Sequence, residues 1–236
     1  MSQRFALYYA PSTSNPLWVR AAQWLGRDPA GDPVTAAETP GVDIAHRLAI
    51  SQSARRYGFH ATVKAPMALP PDVTAGGVQE GLARFGAKTW PVEIGRLTLA
   101  QIDSFLALIP VQQTHALNEA VGDIVAVFDS FRAPLSASDR AKRIASGGLN
   151  ARQVELLDRY GYPYVMEEFR FHMTLTDRLG AADGEPVIAA ATQWFAPLIE
   201  ESFVLDRICL FHEPKAGAPF MRLDDYLLTA EANVDA

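Results

Sequence analysis

Two tripeptides in this 236-residue chain set an imidazole and a hydroxyl at the same spacing: His60-Ala61-Thr62 and His172-Met173-Thr174. Each is preceded by a phenylalanine (Phe59, Phe171) and followed by an aliphatic residue (Val63, Leu175). In a strand, residues i and i+2 point to one face, so each histidine stands beside its own threonine. The alternate positions, Phe59, Ala61 and Val63 in one copy and Phe171, Met173 and Leu175 in the other, face a core. Imidazole and hydroxyl on one face suit a polar groove. The chemistry they suit is cleavage of a phosphoester: one neutral imidazole takes a proton from water or a hydroxyl, and the other, protonated, gives one to the leaving oxygen. The threonine hydroxyls donate to phosphate oxygens as charge develops there. Two imidazoles beside one anionic centre have their pKa values pushed apart, giving a base and an acid.

The elements that must hold these motifs repeat. Residues 4–10 read as a strand stopped by Pro11, and Asn15 caps a helix with Pro16 at its first position. Residues 26–42 read as a loop. A strand covers Tyr57 to Met67, a helix 72–86, and two strands Val92–Leu99 and Phe105–Val111. Residues 113–131 carry Leu117, Val121, Ile124, Val125 and Phe128 at helical spacing. The polar stretch Ser136 to Tyr160 reads as two helices broken at Gly147-Gly148. A strand over 167–176, a helix over Glu185–Leu198 and a hairpin of Phe203–His212 and Phe220–Leu228 complete the chain. Each half therefore contains strand, helix, strand, strand, with its motif in the first of these strands. Arg96 and Arg207 lie at nearly equal distances beyond His60 and His172, in similar strands. The spacing predicts a duplication.

Basic and aromatic residues flank the motifs. Lys64, two positions past Thr62, shares the strand face of His60 and is expected to contact substrate. Arg140, Lys142 and Arg143 form a second basic cluster, and Arg140 and Arg143 are candidates to clamp a second phosphate, with a solvated helix face as the alternative. Arg56, Tyr57 and Tyr164 are further binding candidates, and Tyr57, Tyr162 and Tyr164 either stack on a ligand ring or pack beside it. Tyr8 and Tyr9 point oppositely, so only one reaches the groove. His46, His115 and His212 lack a hydroxyl two residues on and read as structural. No metal site is expected, since neither motif has an Asp, Glu or second His at ligand spacing.

Composition bounds the partners. Lys and Arg number 21 against 27 Asp and Glu, a net charge of −6 that excludes a broadly basic nucleic-acid-coating surface. No apolar run approaches the roughly 20 residues that span a bilayer. The single Cys209 excludes an internal disulfide, and a reducing, cytoplasmic setting is expected.

The blocks Arg56-Tyr57-Gly58-Phe59-His60-Ala61-Thr62-Val63-Lys64-Ala65-Pro66 and Phe169-Arg170-Phe171-His172-Met173-Thr174-Leu175-Thr176 resemble the two-histidine (2H) phosphoesterase superfamily. They look closest to its branch encoded in phosphonate-utilisation operons, the DUF1045-like proteins. The resemblance covers nearly the whole chain. It implies an α+β fold over residues 1–236 with two pseudo-symmetric lobes, antiparallel sheets flanking a central groove, and the motif strands facing each other across it. It also implies no cofactor, His60, Thr62, His172 and Thr174 as the catalytic set, and a small phosphorylated sugar or nucleotide as substrate. A cyclic ribose phosphate from phosphonate breakdown, such as 5-phosphoribosyl 1,2-cyclic phosphate, is the leading expectation. The alternatives are an RNA-end 2′,3′-cyclic phosphodiesterase or ligase, and a non-catalytic nucleotide- or phosphate-binding module. The acidic balance counts against a long RNA track.

Overall fold

The computed structural model describes residues 3–181 and 183–230. Its first unit runs β1 (Arg4–Tyr9), α1 (Pro16–Leu25), α2 (Ile44–Ala49), α3 (Gln52–Tyr57), β2 (Ala61–Met67), α4 (Ala75–Gly86), β3 (Val92–Gly95) and β4 (Leu97–Ile102). The second runs β5 (Phe105–Pro110), α5 (His115–Val127), α6 (Ala137–Gly147), α7 (Ala151–Tyr160), β6 (Met173–Thr174), α8 (Gly184–Ile199), β7 (Phe203–Leu205) and β8 (Arg207–Glu213), and β9 (Met221–Leu227) adds an edge. Each unit is thus strand, three helices, strand, helix, strand, strand. The repeat starts one strand earlier than the sequence spacing suggests, with β1 and β5 as counterparts.

The units are interleaved. Seven strands form one antiparallel sheet in the order β4-β5-β6-β2-β1-β8-β9, and β3 pairs with β7 in a second. The last strand of each unit lies against the first strand of the other: β4 on β5, and β8 on β1. The two motif strands β2 and β6 are therefore neighbours at the centre of one sheet, joined at Ala61↔Met173, rather than strands opposed across a groove. The residues expected to face the core do so: Phe59, Ala61, Val63, Phe171, Met173 and Leu175 are all buried.

Local chemistry sets the boundaries. Asn15 accepts from the Leu17 amide at the start of α1, and Gly26 closes that helix in the left-handed conformation. Thr74 and Thr114 cap α4 and α5 in the same way, and Asn150 with Gln153 forms a capping box on α7. The strand read over Val92–Leu99 is two strands in two sheets, because Gly95 at φ 84° turns the chain between them. The strand read over 167–176 shortens to Met173–Thr174 and starts with a 3-10 turn at Met166–Glu168. Among the described residues no helix is long and apolar enough to cross a membrane.

Candidate active site

The register that joins Ala61 to Met173 sets His60 opposite Thr174 and Thr62 opposite His172, all four on the face away from the core. Directly paired residues have Cβ atoms roughly 4.5–5.5 Å apart, and diagonal ones about 7–8 Å. The two imidazoles occupy one diagonal and the two hydroxyls the other. Such a square is the size of a phosphoryl group with its attacking and leaving oxygens.

Both rings are anchored alike. His60 Nδ1 donates to the Gly58 carbonyl at 2.8 Å, and His172 Nδ1 donates to the Arg170 carbonyl at 2.7 Å. A carbonyl only accepts, so the proton sits on Nδ1 and leaves Nε2 as the basic nitrogen. His60 Nε2 accepts from the Thr62 hydroxyl at 3.2 Å. Gly58 is required for this anchor. Its φ is 83°, and a Cβ there would fall 2.5 Å from Pro29 Cγ. In the second motif the backbone before His172 is held by a side chain: the Gln113 amide donates to the Phe169 carbonyl and accepts from the Phe171 amide.

The surroundings differ. The Tyr8 ring stacks on His60 at 3.7 Å, and burial pushes the His60 imidazole down to about 4, opposed by the Gly58 hydrogen bond and aided by the His172 charge. His172 is half-buried beside Phe105, with ring centroids 5.9 Å apart. Burial lowers its pKa too, against the Arg170 hydrogen bond.

His60, Thr62 and Thr174 line a cavity of about 480 Å³, walled by Tyr8, Tyr57, Tyr162 and Phe105. Of the residues expected to bind substrate, Tyr57 and Arg143 line it, and Arg143 Cζ lies 5.6 Å from the Tyr162 ring. Tyr8 is the one of the two N-terminal tyrosines that reaches it, while Tyr9 packs on Phe171.

Four expected contacts are placed elsewhere. Lys64 is buried on the other face, donating to Asp129 at 3.0 Å and to the Val125 carbonyl at 3.2 Å. The cause is a bulge: Tyr8 pairs with Thr62 but Leu7 with Lys64, so β2 holds one extra residue and its later side chains change face. Burial lowers the Lys64 pKa, and Asp129 works against that. Arg140 forms an exposed ion pair with Asp158 between α6 and α7. Arg56 donates to Glu213 and to the Ala218 carbonyl. Tyr164 is exposed and meets Tyr162 edge-on.

The cavity is also lined by residues outside the expected set, among them Arg4, Thr176 and Arg178. Thr176 and Arg178 continue the period-two row His172, Thr174, and that row was the available signal. Arg4 gave none, since its place depends on Glu213, 209 positions away.

Two His-x-Thr motifs, one in each half of the chain, are thus cross-paired at the centre of a shared antiparallel sheet. The chain belongs to the family described as "Protein of unknown function (DUF1045)", whose model matches residues 62–221. It is similar to two proteins named "Ribose 1,5-bisphosphate phosphokinase PhnN". The one from Janthinobacterium sp. (strain Marseille) is 37% identical over 228 residues, 92% of this chain and 49% of that protein. The one from Laribacter hongkongensis (strain HLHK9) is 34% identical over 218 residues, 92% of this chain and 50% of that protein. The chain spans about half the length of these curated relatives. Among solved structures it is similar to E. coli LigT complexed with 3'-AMP, at 14% identity, covering 97% of this chain and 99% of that one with a TM-score of 0.43. LigT in apo form matches at 16% identity, with 96% and 98% covered and a TM-score of 0.39.

Proposed function

We propose that the chain hydrolyses a cyclic phosphodiester on a small phosphorylated sugar, with His60 and His172 as its two proton carriers. The observation that carries this is the cross-paired square of imidazoles and hydroxyls, each imidazole anchored through Nδ1 and offering Nε2. With both rings neutral, a bound phosphate anion favours a proton on one of them. The neutral partner takes a proton from water as its oxygen bonds to phosphorus. The phosphorus–oxygen bond to the sugar then breaks, and that oxygen takes the proton from the imidazolium. Thr62 and Thr174 donate to the two non-bridging oxygens. No step requires a metal ion.

The name of the relatives supports a particular sugar. Ribose 1,5-bisphosphate is what opening 5-phosphoribosyl 1,2-cyclic phosphate at the 2-oxygen yields. The kinase activity in that name is left with those proteins, because the phosphate-loop pattern Gly-x4-Gly-Lys-Ser/Thr has no copy in this sequence. The test is a panel of 5-phosphoribosyl 1,2-cyclic phosphate, a 2′,3′-cyclic nucleotide and a 2′,3′-cyclic oligonucleotide, with and without EDTA and read by phosphorus NMR. Fastest turnover of the ribosyl substrate, indifferent to chelator, is expected. Preference for the oligonucleotide would transfer the site to RNA ends, and turnover that dies with EDTA and returns with a divalent metal would overturn the two-imidazole mechanism.

A further inference from the structure

Glu213 is fully buried, yet it faces two arginines and a backbone amide. Its carboxylate accepts from Arg4 Nε at 2.5 Å, from Arg56, and from the Gly217 amide at 2.9 Å. Burial alone would raise its pKa, but the Arg4 and Gly217 hydrogen bonds outweigh that and keep it ionised. Arg56 divides its donors between Glu213 and the Ala218 carbonyl. Arg4 does not. Its Nε edge is spent on Glu213, and among the described residues its two Nη groups have no hydrogen-bond partner. Arg4 nevertheless lines the catalytic cavity.

This is a guanidinium fixed along one edge and open along the other, the form in which arginine grips a phosphate with paired bonds. Its distance from the reacting centre is set by strand and rings. Arg4 lies four residues before Tyr8 on β1, about 13 Å along the strand. Its Cζ is 5.8 Å from the Phe220 ring, which lies 6.3 Å from Tyr8, the ring stacked on His60. Arg4 thus serves a group beyond the phosphate held by the two motifs. We propose that Arg4, fixed by Glu213, anchors a second phosphate on the cyclic-phosphate substrate, with Arg143 on the Tyr162 wall of the same cavity. The proposal rests on the cyclic phosphodiesterase reading for the identity of the substrate.

Arg178 is the competing cation, and geometry separates the two. Strands β1 and β6 both run antiparallel to β2, so they run parallel to each other. Arg4 precedes the level of Thr62 and His172 while Arg178 follows it, so the two sit at opposite ends of the cavity. Helix α3 spans them, with Asp177 accepting from the Ser53 amide at one end and Arg56 on Glu213 at the other.

The experiment compares kcat/KM for 5-phosphoribosyl 1,2-cyclic phosphate with that for ribose 1,2-cyclic phosphate, which lacks the distal phosphate. In Arg4→Ala the preference for the first substrate should fall ten- to a hundredfold, chiefly through KM. Arg4→Lys keeps a charge against Glu213 but loses the fork, so it should retain part of the preference and shows that the loss is not misfolding. A preference that survives in Arg4→Ala, or one that collapses in Arg178→Ala instead, overturns the proposal. If the wild type opens neither substrate, the phosphodiesterase reading fails, and calorimetry with ribose 5-phosphate decides on Arg4 separately. An affinity at least tenfold weaker in Arg4→Ala, with Arg4→Lys between it and the wild type, upholds the anion site; equal affinity in Arg4→Ala removes it.

Discussion

The two repeats supply the same imidazole with the same Nδ1 anchor but house it differently. In the first, Tyr8 covers His60 and the glycine carrying the anchoring carbonyl is locked against Pro29. In the second, His172 stands half-exposed, and the chain leading to it is held by Gln113 instead of by a long strand. Beyond the motifs the units part further. The bulge in β2 sends Lys64 into the core, whereas the second unit continues its row on the cavity face through Thr176 and Arg178. The repeat supplies two equivalent imidazoles; as a base and an acid, the roles proposed for them, they would have to be unequal. The Tyr8 ring stacked on His60, where His172 meets only the tilted Phe105 ring, is the difference that would set them apart.

The largest effect should come from removing either carrier. His60→Ala and His172→Ala are each expected to lower kcat about a hundredfold or more against the wild type. If one is dispensable, the paired reading of the two motifs breaks. A second prediction tests the bulge. Asp129→Ala removes the carboxylate facing buried Lys64, which should cost about 3 kcal/mol in denaturant unfolding because the ammonium is left uncompensated. A loss below about 1 kcal/mol would mean that Lys64 is less enclosed than its position beside α5 implies.

The third sharpens the contrast between the rings. Both native imidazoles titrate below the unfolded value near 6.5, so the unfolded chain binds the extra protons as pH falls. Their contribution to stability should be complete above about pH 7 and be lost on acidification, for His60 down to about pH 4. Nitrogen-detected NMR should show His60 titrating at lower pH than a model imidazole, and a His60 that titrates near 6.5 would remove the inequality. Smallest of all is Arg140→Ala. That arginine pairs with Asp158 on an exposed helix surface, so neither melting temperature nor KM should change measurably.

What the sequence disclosed and what it withheld have separate physical causes. The His-x-Thr pairs, their buried flanks and the Asn15 cap follow from period-two alternation and local hydrogen bonds, which a single segment carries by itself. Lys64 leaves the face that alternation assigns it because a bulge is decided by the neighbouring strand. Helices α2 and α3 hold six residues each, too few for a 3.6-residue period to emerge. Val92–Leu99 looked continuous because its break depends on Gly95 turning into a second sheet. Arg4 showed no motif at all. Its role depends on Glu213, which only the β1–β8 pairing brings beside it.

That pairing also governs when the site can exist. Tyr8 is held between β2 and β8, and β8 is made some 200 residues after β1. Closing so large a loop costs entropy before any contact rewards it, and contacts this non-local slow folding. During synthesis the first motif, its tyrosine and Arg4 leave the ribosome early but wait for the last strands of the second unit. The groups that would carry and grip the substrate are therefore among the last parts of the molecule to be assembled, and no half-made chain can present them.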